Sequence, residues 1–150
     1  MFMEKGKKLG MAADHAGYEL KEKLKKYLTE EKGYEIKDFG TYSDESADYP
    51  DFAHPLAKAI ENGEFELGIS VCGSGNGINM TLNKHKNIRS ALCWRAVIAK
   101  LAREHNNANV CALPGRFVSF DEAKDIVDAF LRATFEGGRH QRRIDKMIEF

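Results

Sequence analysis

The sequence lacks the features that mark several classes of protein. No apolar stretch approaches the ~20 residues that a membrane-spanning helix requires. The 23 Lys and Arg residues equal the 23 Asp and Glu residues, so the net charge favours neither nucleic acid nor a membrane surface. The Lys-rich start has no apolar run behind it, which argues against a signal peptide. We therefore expect a cytoplasmic protein with no nucleic-acid or membrane partner.

Cysteine is scarce and scattered. Cys72, Cys93 and Cys111 are odd in number, and no C-x-x-C pair occurs. This usage predicts neither a disulfide framework nor a zinc knuckle. The sequence therefore indicates no metal site and no cofactor.

Short apolar runs alternate with helical patterns along the whole chain. The candidate strands are 9–13, 35–39, 67–72, 89–93 and 109–113. Apolar residues recur at helical spacing over 18–28, 52–60, 96–105 and 121–134, and a last helix is predicted from 139 to the end. Such alternation predicts a parallel sheet covered by helices on both faces. The length of 150 residues suits a single domain over 1–150.

Polar residues follow the predicted strands, where ligands bind in folds of this kind. Asp14 and His15 come directly after the first strand, and Tyr49 lies in the loop after the second. The glycine-rich loop 73–77 follows the third strand, and Arg116 follows the fifth. We expect these groups to meet at the carboxyl edge of the sheet.

The strongest local signal is the segment 71–77, Val-Cys-Gly-Ser-Gly-Asn-Gly. A glycine-rich turn before a helix exposes N–H groups that suit a phosphate or an enediolate oxygen. It is neither a Walker A loop nor a dinucleotide fingerprint, because it lacks Gly-Lys-Ser/Thr and has Ile78 where a glycine is needed. A helix N-terminus also favours the thiolate of Cys72, which can act as base or nucleophile. The simpler alternatives are a tight connection and a packing cysteine.

Two further groups lie closer to the C-terminus. Arg139 and Arg143 are four residues apart on one face of the last predicted helix, which suits a phosphate; a solvated basic face is the alternative. His105 and Asn106 lie between the helix predicted over 96–105 and the fifth strand. An imidazole can exchange protons near neutral pH, and a helix C-cap is the alternative.

Five segments together resemble the type B ribose-5-phosphate isomerase family, which also includes the galactose-6-phosphate isomerase subunits. They occur in the family's order and spacing over most of the chain. The segments are Asp14-His15-Ala16-Gly17, Asp48-Tyr49-Pro50, Cys72-Gly73-Ser74-Gly75-Asn76-Gly77, His105-Asn106 and Glu136-Gly137-Gly138-Arg139-His140-Gln141.

The resemblance implies a three-layer α/β/α, Rossmann-like fold with a five-stranded parallel sheet and a C-terminal helix. It implies interconversion of ribose 5-phosphate and ribulose 5-phosphate through an enediolate, in the pentose phosphate pathway. It also implies a homodimer or homotetramer with active sites shared between subunits. An isomerase of galactose 6-phosphate or allose 6-phosphate is one alternative, and a non-catalytic phosphosugar-binding module is another.

Residue roles follow from the same resemblance. Cys72 would be the base that moves a proton between C2 and C1, His105 would open the furanose ring, and Ser74 would assist catalysis. Some relatives use a Glu a few residues later, but no acid occurs between Gly73 and Asn83 here. The substrate-binding residues would be Asp14, His15, Tyr49, Gly73, Gly75, Asn76, Gly77, Asn106, Arg116, Arg139 and Arg143.

Overall fold

The computed structural model describes residues 7–150. The strands in this range are β1 (Lys8–Ala13), β2 (Glu35–Asp38), β3 (Leu67–Cys72), β4 (Ser90–Leu92) and β5 (Val110–Pro114). The helices are α1 (Tyr18–Glu30), α2 (Tyr49–Glu61), α3 (Asn76–Leu82), α4 (Ala96–Asn106), α5 (Phe120–Arg132) and α6 (Arg139–Asp145), followed by a 3₁₀ turn at Lys146–Ile148. Residues 1–6 of the predicted domain lie outside the described range.

All strand pairs are parallel, in the order β2-β1-β3-β5-β4. The chain leaves β1 for β2 on one side and then returns to place β3 on the other. The strand order therefore reverses between β1 and β3. In open α/β sheets a ligand crevice forms at such a point, beyond the carboxyl ends of the strands.

Alternate residues of each strand face two separate apolar layers. Met11 packs with Leu24 of α1 and Phe130 of α5, whereas the next residue, Ala12, packs with Leu56 of α2. Helices α1, α4 and α5 cover the first face, and α2 and α3 cover the second. The three-layer α/β/α fold with a five-stranded parallel sheet is thus confirmed. Within residues 7–150, no helix is long and apolar enough to cross a membrane.

A buried ion pair ties α1 to the end of β2. The Lys21 side chain is fully buried, and its Nζ lies 2.6 Å from Asp38 Oδ2. Burial alone would raise the pKa of Asp38, but hydrogen bonds from Lys21, the Gly40 N–H and Lys25 lower it below its ordinary value. The Asp38 carboxylate is therefore held ionised, and its bond to Lys21 ties α1 to the carboxyl end of β2.

Several element boundaries differ from the predictions. The last helix does not run to the end, since α6 stops at Asp145 and a short 3₁₀ turn follows. Helix α2 begins at Tyr49 rather than at 52, because Pro50 falls in its first turn, where a missing N–H costs little. Strand β4 has only three residues.

Candidate active site

The first cluster of predicted site residues lies at the carboxyl edge of the sheet, where β1 and β3 end. The N–H of Asp14 donates to the Val71 carbonyl at 3.3 Å. A Cβ on Gly17 would come within 2.4 Å of that same carbonyl oxygen, so only glycine fits. The loop after β1 therefore rests directly on the end of β3. We call this group the carboxyl-edge cluster: Asp14, His15, Tyr49, Cys72, the loop 73–77 and Arg116.

Cys72 is the last residue of β3 and is only 4% exposed. Its side chain belongs to the apolar layer formed with α2 and α3, and the Gly115 N–H donates to its carbonyl at 2.8 Å. The thiol is therefore shielded from bulk water and held at the reversal of strand order.

The loop after Cys72 presents unused backbone donors. Within residues 7–150, the N–H groups of Ser74, Gly75 and Gly77 donate to no acceptor. Gly75 has φ +80°, which turns the chain sharply into α3. Since α3 has only seven residues, discrete N–H donors rather than a long helix dipole supply the positive potential here. Such donors can hold a phosphate or a developing oxyanion.

Two side chains lie against this loop. The Arg116 N–H donates to the Gly73 carbonyl at 3.0 Å, and its Nη1 lies 3.3 Å from where a Cβ on Gly73 would stand. The Tyr49 ring packs on Gly77, where a Cβ would come within 2.4 Å of Cζ. Gly73 therefore leaves room for Arg116, and Gly77 leaves room for Tyr49. Both side chains are predicted to bind substrate.

Asp14, His15 and Ser74 shape the rim of the crevice. The buried Asp14 accepts a hydrogen bond from the Gly17 N–H at 3.1 Å, which leaves its second oxygen available. The Nδ1 of His15 lies 3.0 Å from the Ala47 nitrogen and 3.2 Å from its oxygen. If Nδ1 accepts from that N–H, the proton sits on Nε2, which is free to donate to a ligand. Ser74 Oγ accepts from the Asn76 N–H at 3.2 Å and so supports the turn.

The second cluster lies at the opposite, amino edge of the sheet. Helix α4 starts beyond the carboxyl end of β4 and runs back to the start of β5. Its eleven residues rise about 16 Å, so His105 and Asn106 at its end are far from the carboxyl edge. Asn107 then caps α4 with φ 46°, as the alternative interpretation of this segment predicts.

Helix α6 joins His105 there. The rings of His105 and His140 stack, with centroids 4.2 Å apart and planes 11° from parallel. Oε1 of Glu136 lies 3.4 Å from His140 Nε2 and 4.0 Å from His105 Nε2. Burial lowers the pKa of His140, electrostatic interaction with His105 and Arg139 lowers it further, and Glu136 opposes the shift. We call this group the amino-edge cluster: His105, Asn106, Glu136, Arg139, His140 and Arg143.

Arg139 and Arg143 are exposed on α6. Within the described chain neither guanidinium makes a hydrogen bond or an ion pair. Two guanidinium groups that lie one helical turn apart, without a partner in the described chain, are well suited to bind a phosphate.

No hydrogen bond, ion pair or ring contact joins the two clusters among residues 7–150. The structure thus brings Arg116 and Tyr49 to Cys72, but it does not bring His105, Asn106, Arg139 or Arg143 there within one chain. Within one chain, His105 and Cys72 therefore lie at opposite edges of the sheet.

One protein family matches this sequence over most of its length. The family model described as Ribose/Galactose Isomerase matches residues 9–147. The chain belongs to this family. Ribose-5-phosphate isomerase B of Escherichia coli is 44% identical over 139 residues, which cover 93% of each chain.

Solved structures of family members have the same fold. A ribose 5-phosphate isomerase from Thermotoga maritima is 50% identical with a TM-score of 0.93, covering 95% of this chain and 98% of that one. Ribose-5-phosphate isomerase B from Mycoplasma genitalium, with bound ribulose-5-phosphate, is 46% identical with a TM-score of 0.88, covering 95% and 94%. The resemblance drawn from the five sequence segments is therefore confirmed.

Sequence reasoning missed the association of Glu136 and His140 with His105. Both residues lie in the segment 136–141 that carried the resemblance, yet neither received a role. Their spacing of four gave no helical signal, because Glu136 precedes the last helix, which begins at Arg139. Their contact with α4 is tertiary and has no counterpart in the local pattern.

Proposed function

We propose that this protein interconverts ribose 5-phosphate and ribulose 5-phosphate, with a single domain over 1–150 and Cys72 as the base. The observation that carries the proposal is the position of Cys72, at the reversal of strand order and beside a loop with unused N–H donors. The Mycoplasma genitalium relative, which binds ribulose-5-phosphate, supports a pentose phosphate as the ligand.

The chemistry requires a base and a place for negative charge. The Cys72 thiolate removes the C2 proton of the open-chain aldose, and the electron pair moves onto the C1 oxygen. The loop N–H groups stabilise this enediolate, at ~3–4 kcal/mol per donor in comparable oxyanion sites. The proton of the C2 hydroxyl passes to the C1 oxygen, and Cys72 returns its proton to C1, so that C2 becomes the carbonyl carbon of the ketose. Ser74 and His105 assist, His105 by opening the furanose ring.

The separation of the two clusters supports a homodimer with shared sites. Val97 and Leu101 on α4 form an exposed apolar stripe with Trp94, which lies just before the helix; their exposures are 51%, 36% and 52%. A two-fold axis perpendicular to α4 would pack two such stripes antiparallel. That arrangement carries the amino edge of one subunit to the carboxyl edge of its partner, where His105 would complete the site around Cys72. A tetramer would be a pair of such dimers.

In this arrangement Arg139 and Arg143 bind the phosphate of a substrate whose carbonyl end lies at the partner's Cys72. Arg143→Ala should raise KM strongly, by about tenfold or more, because a charge-assisted bond to the phosphate is lost. Steady-state kinetics with ribose 5-phosphate measures this change, and inorganic phosphate should inhibit the variant less than the wild type.

Arg142→Ala is the matched control, since Arg142 is an exposed neighbour on another face of α6. Its KM should match the wild type. Equal KM values for Arg143→Ala and Arg142→Ala would mean that Arg143 belongs only to a solvated basic face.

A direct comparison of substrates tests the proposed activity. Ribose 5-phosphate should give a kcat/KM at least about tenfold above allose 6-phosphate and galactose 6-phosphate, because one extra carbon must fit the same crevice. A reversed order would identify a six-carbon isomerase. Binding of ribose 5-phosphate without turnover would identify a non-catalytic module. The cytoplasmic location expected from the sequence stays a prediction.

A further inference from the structure

The amino-edge cluster contains three metal-binding donors, of which the isomerase chemistry described above uses only His105. His105, Glu136 and His140 offer two imidazole nitrogens and one carboxylate oxygen, all within 4.8 Å of one another. Two nitrogens and one carboxylate form a donor set typical of zinc sites that keep an open fourth position. Magnesium and calcium prefer ligands that are all oxygen atoms. Two imidazole nitrogens with one carboxylate oxygen instead favour a transition-metal ion of intermediate softness, such as zinc.

The His140 side chain gives a second, independent indication of a ligand. The residue is only 6% exposed, and within residues 7–150 its buried Nε2 makes no well-aligned hydrogen bond. Glu136 Oε1 lies 3.4 Å away but is not aligned as an acceptor. Buried polar nitrogens are nearly always bonded in folded proteins. The nitrogen is therefore turned toward a position that a metal ion can fill.

The distances suit zinc. Two ligand atoms about 2.0–2.2 Å from a tetrahedral zinc lie roughly 3.4 Å apart, which is the His140 Nε2 to Glu136 Oε1 separation of 3.4 Å. His105 Nε2, at 4.0 Å from Glu136, must move closer. The two rings are nearly parallel, so their lone pairs converge only after one ring rotates. His105 can rotate because its side chain is 38% exposed, whereas His140 is held by burial.

We propose that His105, Glu136 and His140 bind one zinc ion and that this ion inhibits the enzyme. A zinc-bound Nε2 can neither accept nor donate a proton, so His105 cannot open the sugar ring. The inhibition rests on the proposed function of His105, but the binding of zinc does not. The site offers only three protein ligands, and the positive charge of Arg139 lies beside it. Zinc therefore binds more weakly than at a closed four-ligand site and exchanges with zinc in solution.

Calorimetry on the full-length protein tests the binding. Cys72→Ala is the background, so that no active-site thiolate can take the metal, and EDTA treatment with desalting removes bound ions first. Zinc titration should show one ion per chain. Glu136→Gln in the same background should weaken zinc binding by at least about tenfold, since even an indirect change around a metal ligand costs that much.

Glu104→Gln is the matched control, because Glu104 precedes His105 on α4 and, within residues 7–150, its carboxylate pairs only with exposed Lys100. Its contact with the Glu136 N–H is through the backbone carbonyl, which the substitution keeps. It should bind zinc like the background protein, and magnesium should not bind at this site. Equal zinc affinity of Glu136→Gln and Glu104→Gln would overturn the proposal. So would absence of zinc binding once Cys72 is replaced, which would place the ion on the thiolate instead.

Activity assays then test inhibition in the chain with Cys72 intact. Zinc should lower turnover of ribose 5-phosphate reversibly, and EDTA should restore it in full. Glu136→Gln should need at least about tenfold more zinc for the same fractional inhibition, relative to its own metal-free rate. Because calorimetry needs no turnover, a wrong isomerase assignment would leave the binding result unchanged.

Discussion

Replacing Cys72 with alanine is expected to lower kcat for ribose 5-phosphate by roughly 10⁴-fold, the upper range for positioned proton transfer. The loop N–H groups and the arginines are untouched, so phosphate binding and the fold should persist. Cys72→Ser should be nearly as impaired, because a hydroxyl is a far weaker base than a thiolate. Steady-state kinetics together with circular dichroism measures both effects.

The other two cysteines provide the control. Cys93 and Cys111 are fully buried, and a hydrogen bond to Cys93 and burial raise the pKa of the Cys111 thiol well above its ordinary value. Iodoacetamide should inactivate the enzyme by modifying Cys72, which borders the carboxyl-edge crevice, rather than the core residues Cys93 and Cys111, and ribose 5-phosphate should protect it. Cys111→Ala should keep its activity. Near-normal kcat in Cys72→Ala would place the base elsewhere and make Cys72 a packing residue.

Mixing two inactive variants should restore activity. In a heterodimer of Cys72→Ala with His105→Ala, one of the two shared sites has both residues intact. Random exchange at equal amounts gives about half heterodimers and hence about a quarter of the wild-type activity. The mixture is co-refolded from denaturant and assayed beside each variant refolded alone.

The same mixture distinguishes shared sites from sites within one chain. If His105 acted on the sugar held by its own subunit, no heterodimer would contain an intact site. Heterodimers seen by native mass spectrometry without recovered activity would therefore contradict the shared site. A monomer that is fully active at assay concentration would contradict it too.

The fold was largely predictable because its signals are local. Buried parallel strands such as 67–72 are short apolar runs, and the helices between them carry apolar residues at helical spacing. Lys21 was not predictable as a core residue. In the sequence of α1, Lys21 occurs at a position that a polar surface residue commonly takes. Its burial is favourable because of the tertiary contact with Asp38, which the local pattern does not show.

The candidate site was predictable in part for the same reason. Cys72 and the loop 73–77 follow one strand, so their common position at the carboxyl edge follows from strand direction alone. The distance of His105 from that edge follows from the direction of helix α4, because α4 must run back to the start of β5. The stack of His105 on His140 has no such local signal, because it depends on how α6 packs against α4.

Hydrogen exchange at the substrate carbon tests the central claim, that Cys72 removes the proton. Ribose 5-phosphate is incubated in deuterium oxide with enzyme, and the C2 proton signal is followed by NMR. The account predicts that wild-type enzyme replaces this proton with deuterium as the sugars interconvert, and that Cys72→Ala leaves it in place over the same time. Continued loss of the C2 proton signal with folded Cys72→Ala would show that another group is the base.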